Sequence, residues 1–124
     1  MPEGDTIHAL AARLHAALAG QTLRRTDFRI PSLATLDLAG QTVTSAGARG
    51  KHLLIRTDAG VTIHSHLELD GAWELYAPQA RRRGPWHEIR AVLETDPRTA
   101  IGYRLPVLEA LATEIGRASC RERV

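Results

Sequence analysis

Apolar residues in the first twenty positions recur with a helical period. Ile7, Leu10, Leu14 and Leu18 fall on one face with Ala11 and Ala17 beside them. Asp5 or Thr6 can cap such a helix and Gly20 can stop it. After Gly20 the period changes to two. Residues 21–30 read as a strand, Pro31 interrupts it, 33–40 form a connector ending at Gly40, and 41–48 form a small-residue strand leading to Arg49, Gly50 and Lys51. Residues 52–57 and 61–67, around Asp58-Ala59-Gly60, make the clearest hairpin. A turn at Asp70-Gly71 passes into a strand over 72–77, and 78–85 is a loop. Residues 86–95 and 99–105 are strands around Asp96-Pro97, and Pro106 is placed to begin a short helix over 106–112. The pattern predicts an α+β domain: an N-terminal helix followed by an antiparallel β-sandwich or barrel of about seven to eight strands.

Composition limits the classes available. A chain of 124 residues with 44% hydrophobic and 24% charged positions can bury one core and not two. No stretch approaches the roughly 20 apolar residues of a membrane span. Glu3 and Asp5 occupy the start, where a secretory signal would be basic, so a cytoplasmic protein is expected. Cys120 is the single cysteine, so no internal disulfide or cysteine zinc site can form.

The formal net charge of +2 resides at the C-terminus, where Arg117, Arg121 and Arg123 face Glu122 alone. Residues 1–114 are neutral, and their charge is no argument for nucleic-acid binding. Glu114 to Val124 can be encoded by a continuous stretch of a common sequencing adapter. The reading is a domain over 1–113 followed by a non-native tail over 114–124.

The 16 basic residues include one lysine, Lys51. Where arginine dominates so strongly, a retained lysine marks a place that needs a compact ammonium on a flexible stem. Pro2 follows the initiator methionine, whose removal would expose a secondary amine able to form an iminium ion with an aldehyde-like carbon. Glu3 beside it is positioned as a general acid or base, just ahead of a helix whose dipole favours negative charge. His64 and His66 alternate on one strand face with His52 on a neighbouring strand. With no carboxylate at metal-ligand spacing, packing or phosphate contact is the reading there, and no metal is expected. Arg81 to Arg83 read as a solvated loop, with backbone-phosphate contact as the alternative.

Three motifs occur in order: MPEGDT at 1–6, RGKHLL at 49–54 and HSHLELDGAW at 64–73. Together they resemble the formamidopyrimidine-DNA glycosylase and endonuclease VIII family of base-excision repair enzymes, most nearly the Nei-like actinobacterial type. The resemblance covers residues 1 to about 113. It implies that Pro2 attacks C1′ of a damaged nucleotide and forms a Schiff base, that Glu3 acts as acid and base on the opened sugar, and that Lys51 contacts phosphates, with Arg49 in the DNA-binding segment. Glu68, Leu69 and Asp70 would fill the void left by the flipped nucleotide, Leu69 as an apolar wedge. Thr6 stands where many members carry a further Glu.

The resemblance also implies damaged double-stranded DNA as partner, oxidised pyrimidines as favoured lesions, a monomer, and a nucleoid-associated bacterial setting. Family members continue into a helix-two-turn-helix domain and commonly a four-cysteine zinc finger. Neither motif is found in these 124 residues, so no cofactor is expected and a truncated catalytic domain with little activity is. Two alternatives remain open: a non-enzymatic domain with weak or no nucleic-acid binding, and a tautomerase-type enzyme using Pro2 as a base. In the latter Pro2 should begin a strand, whereas here it leads into a helix.

Overall fold

The computed structural model describes residues 3–66, 71–77 and 86–112, with side chains from residue 7 to 111. One helix precedes eight strands: α1 (Glu3–Leu18), β1 (Arg25–Phe28), β2 (Val43–Arg49), β3 (His52–Thr57), β4 (Val61–His66), β5 (Ala72–Tyr76), β6 (Ile89–Glu94), β7 (Thr99–Tyr103) and β8 (Val107–Ala112). They form two antiparallel four-stranded sheets, ordered β1-β6-β7-β5 and β2-β3-β4-β8. The sequence left a sandwich and a barrel open; the structure is two sheets without barrel closure.

The helical stripe behaves as its spacing requires. Ile7, Leu10, Ala11, Leu14 and Leu18 are buried, with Ala17 partly buried beside them, and they pack with Val43, Ala46, Leu53, Ile55 and Ile63 from the second sheet. Phe28, Ala91, Leu93 and Ala100 join this core from the first sheet. Its seam is tied by the buried Trp73 Nε1–H, which donates to Ser65 Oγ at 3.1 Å. Gly20 ends the helical segment at φ +83, a region open to glycine at little cost.

Three expectations change in these elements, and a fourth at the start of residues 86–95, where Trp86–Glu88 is a 3-10 turn. α1 begins at Glu3, so Asp5 and Thr6 lie inside its first turn and do not cap it. Within 21–30 only Arg25–Phe28 is strand; Thr22 makes an isolated bridge to Thr42, and Pro31–Leu33 is a 3-10 turn.

The segment after Pro106 is the third: it is strand β8 and no helix. Leu, Ala and Glu favour a helix locally, but β4 without β8 would present an unpaired edge. Pairing from Val61↔Ala112 to His66↔Val107 satisfies those backbone groups. It also directs Leu108 into the core and Glu109 to the opposite face.

Candidate nucleic-acid interface

The topology gathers specific connections at one end of the sandwich. In the second sheet Arg49 pairs with His52 and His52 with His66, so the β2–β3 turn holding Gly50 and Lys51 lies beside the end of β4. From His66 the chain crosses to Ala72, which pairs with Tyr103, as Ile89 does. Tyr103 then leads back through Arg104 to Val107, again opposite His66. The described ends of both crossings between the sheets, His66 and Ala72 for one and Tyr103 and Val107 for the other, therefore belong to the Lys51 end. Gly50 turns there at φ +59.

Helix α1 points toward this end. Gly20 N–H donates to Val43 O at 2.7 Å, and Ala46 N–H donates to His15 Nδ1 at 3.1 Å. Moving back along the helix thus corresponds to moving forward along β2. From His15 to Glu3 the helix rises about 18 Å at 1.5 Å per residue, roughly five strand residues at 3.3 Å each. That brings its first turn to the level of the β2–β3 turn.

Of the residues singled out in the sequence, Arg49 and Lys51 are exposed at this end. Glu3 contributes the first residue of α1. Pro2, Glu68, Leu69 and Asp70 lie outside the described residues, as do Arg81 to Arg83 and the tail over 114–124. The segment containing Glu68 to Asp70 is anchored on both sides, at His66 and Ala72, and both anchors belong to the Lys51 end.

The structure adds contacts, and Glu109, that the pattern did not disclose. His52 Nδ1 and His64 Nε2 are 2.7 Å apart, and His64 Nδ1 lies 3.5 Å from Glu109 Oε2. Glu109 supplies the carboxylate that sequence spacing did not reveal, because it sits on a strand expected to be helical. Even so, no cluster able to hold a metal ion occurs among the described residues. Partial desolvation, then repulsion from His64 and His66, holds the His52 pKa below the ordinary histidine value; Glu109 opposes them.

Arg104 is the single non-glycine described residue with positive φ, at +53. Its N–H donates to Glu88 O at 2.9 Å, and its guanidinium pairs with the Glu88 carboxylate. Trp86, the exposed large hydrophobic residue among those described, begins the 3-10 turn that carries Glu88. A coarse reading of residues 86–95 as one strand concealed this turn.

Residues 1–105 match the family model for the formamidopyrimidine-DNA glycosylase N-terminal domain. The chain belongs to this family. Among curated relatives, "Probable endonuclease 8 2" of Streptomyces coelicolor is 57% identical over 114 residues, covering 91% of this chain and 41% of that protein. "DNA-(apurinic or apyrimidinic site) lyase Nei2" of Mycolicibacterium smegmatis is 49% identical over 111 residues, covering 90% and 42%. The chain thus spans less than half the length of these relatives.

A solved complex of the LlFpg protein with a THF-DNA and an inhibitor shares the fold at TM-score 0.74 and 20% identity, over 90% of this chain and 44% of that one. Lactococcus lactis formamidopyrimidine-DNA glycosylase bound non-covalently to DNA containing an AP site does so at TM-score 0.70 and 20% identity. No helix among the described residues is long and apolar enough to cross a membrane.

Proposed function

We propose that this domain is the catalytic part of a bifunctional DNA glycosylase and abasic-site lyase acting on oxidised bases, pyrimidines in preference, in double-stranded DNA. The observation that carries the reading is the convergence of α1's first turn, Lys51 and both anchors of the 67–71 crossing at one end of the sandwich. One nucleotide could then be served by a nucleophile, a phosphate contact and a wedge. Family membership supports it. The protein acts as a monomer in the bacterial cytoplasm, associated with the nucleoid.

In this reading the Pro2 amine, freed by loss of Met1, attacks C1′ of the damaged nucleotide. The base leaves with the glycosidic electron pair. The attacking amine gives up its proton, which the departing base takes; Glu3 then protonates the ring oxygen as the C1′–O4′ bond breaks with its electron pair going to oxygen, and the nitrogen lone pair forms the C1′=N⁺ bond of the iminium. The iminium acidifies the C2′ proton; its removal by a base expels the 3′ phosphate and nicks the strand. Hydrolysis of the iminium returns the amine. Lys51 and Arg49 hold the lesion strand by its phosphates, while Glu68, Leu69 and Asp70 occupy the gap, Leu69 between the bases.

Borohydride reduction tests this directly, since it fixes the iminium as a stable protein–DNA adduct. With the chain extended by the C-terminal part of the Streptomyces relative, efficient trapping on abasic-site DNA is expected, and loss of trapping in Pro2→Gly. The 124-residue chain alone should trap little, because holding the sugar against the amine contributes on the order of 7–11 kcal/mol and requires DNA gripped from both sides. No adduct from the extended chain would overturn the assignment of Pro2. Equal trapping by both would overturn the need for the second half. Failure to bind DNA at all would favour a non-enzymatic domain.

A further inference from the structure

On the face of the second sheet turned away from the core, three adjacent strands carry a row of polar side chains. His52 pairs in register with His66, and His64 with Glu109. The 2.7 Å between His52 Nδ1 and His64 Nε2 requires one proton shared between two ring nitrogens. His64 Nδ1 is buried without a close hydrogen bond, and its polar neighbour is Glu109 Oε2 at 3.5 Å. A carboxylate at that distance favours the neutral His64 tautomer that carries its proton on Nδ1. His64 Nε2 is then the acceptor and His52 Nδ1–H the donor. His52 Nε2 is left with a lone pair, on an exposed residue directly after Lys51.

Packing alone does not account for this row. The His64 side chain is only 8% exposed, and burying an imidazole carries a desolvation cost that an apolar residue would avoid. What the row achieves is to fix the orientation and tautomer of its most exposed ring, His52.

We infer that His52, oriented by His64 and Glu109, is a phosphodiester-binding group beside Lys51 that takes up a proton at Nε2 when a backbone phosphate is bound. The inference rests on the DNA reading above. In the neutral form a lone pair would face the phosphate oxygen; in the protonated form a charged N–H donates to it. The groups facing His52 are Arg49 from β2, Lys51 ahead of it on the chain, His64 and His66 from β4, and Glu109 from β8. Glu109 favours the charge on His52, whereas Arg49 and Lys51, and His64 and His66 when protonated, oppose it. Free His52 therefore stays neutral near pH 7, and an arriving phosphate supplies the missing negative charge.

The test is NMR of the histidine rings in the 124-residue chain, titrated with pH alone and with a short duplex containing a tetrahydrofuran abasic analogue up to millimolar concentration. Long-range proton–nitrogen spectra of the free chain should show His52 protonated on Nδ1 and His64 on Nδ1. With the duplex, the His52 midpoint should rise by about one pH unit, equivalent to roughly tenfold tighter binding of the protonated form. His52→Gln should remove the proton uptake. Glu109→Gln should lower the midpoint and mix the two His52 tautomers, a change that loss of packing would not produce.

An unchanged His52 midpoint, while resonances around Lys51 respond to the duplex, overturns the inference and leaves the DNA reading standing. A free His52 protonated on Nε2 overturns the relay. If nothing on this end responds at millimolar duplex, in the 124-residue chain or in the chain extended by the C-terminal part of the Streptomyces relative, the DNA reading falls and the inference with it.

Discussion

The two ends of the sandwich are built from the same strands and differ in what their polar groups do. At the end away from Lys51 the turns answer themselves. Asp58 Oδ1 accepts from Thr42 N–H, Thr57 Oγ1 donates to Gln41 Oε1 at 2.7 Å, and Thr95 Oγ1 donates to Arg98 O at 2.6 Å. Arg24 pairs with Asp96 and Arg25 with Glu94. At the Lys51 end, Arg49 makes no ion pair among the described residues, Trp86 is 69% exposed, and Arg104 takes a backbone conformation unusual for a side-chain-bearing residue. One end is satisfied by its own groups; at the other the exposed Arg49 guanidinium and the exposed Trp86 ring face solvent, with no ion pair for Arg49 among the described residues. Unused potential of that kind marks a surface shaped for something outside the chain.

The largest effect expected from this contrast is chemical. Pro2→Gly in the extended protein should abolish the borohydride-trapped adduct while leaving the melting temperature within error of wild type. An adduct that persists would place the nucleophile elsewhere.

Gly102→Ala sharpens the comparison through the fold itself. A Cβ there would lie 2.7 Å from Leu105 Cδ1 and 3.2 Å from the Trp73 ring, both buried near the crossings. A loss of about 1–3 kcal/mol is expected from overpacking, read by urea denaturation. Hydrogen exchange should accelerate more in residues 101–105 than around Thr57; uniform acceleration would mean that the two ends are not separable in stability.

Thr57→Val makes the reciprocal change. It removes the hydroxyl that serves Gln41 and the Val61 backbone, for a loss of about 1–2 kcal/mol, and DNA affinity at fixed temperature should not move. Reduced affinity in a fully folded sample would break the assignment of binding to the opposite end.

Lys51→Ala should leave stability within about 0.5 kcal/mol, as expected for an exposed position. It should lower the slope of log affinity against log salt by about 0.9, the counterion of one phosphate contact. Anisotropy over a salt series measures this, and an unchanged slope removes Lys51 from the interface.

The smallest effect is the pH dependence of folding. The His52 pKa lies below its unfolded value near 6.5, so the unfolded chain binds more protons between the two values. Stability must then rise with pH through that window and fall on acidification below about 6.5. His52→Gln should flatten the urea midpoint against pH there. A wild-type midpoint that improves on acidification would reverse the assigned sign, provided the other histidines are accounted for by the same NMR titration.

Local pattern sufficed for elements whose partners are close in sequence. The 3.6-residue spacing from Ile7 to Leu18 determines α1, because one apolar stripe must find a core. The Asp58-Ala59-Gly60 turn determines the β3–β4 hairpin, because Gly60 supplies the φ of +86 observed there. The motifs around Pro2, Lys51 and Leu69 were legible as residue types, and so was the isolation of Lys51 among arginines.

What the sequence did not determine depends on contacts across long separations. Residues 107–112 have the composition of a helix and become a strand because the free edge of β4, more than forty positions earlier, needs its hydrogen bonds. Glu109 reaches His64 only once that pairing is made, whereas His64 meets His52 within the β3–β4 hairpin. The gathering of the β2–β3 turn and the anchoring residues of both inter-sheet crossings at one end likewise follows from strand order. Side-chain identity sets what each strand buries, but backbone pairing across the sheets decides which groups meet.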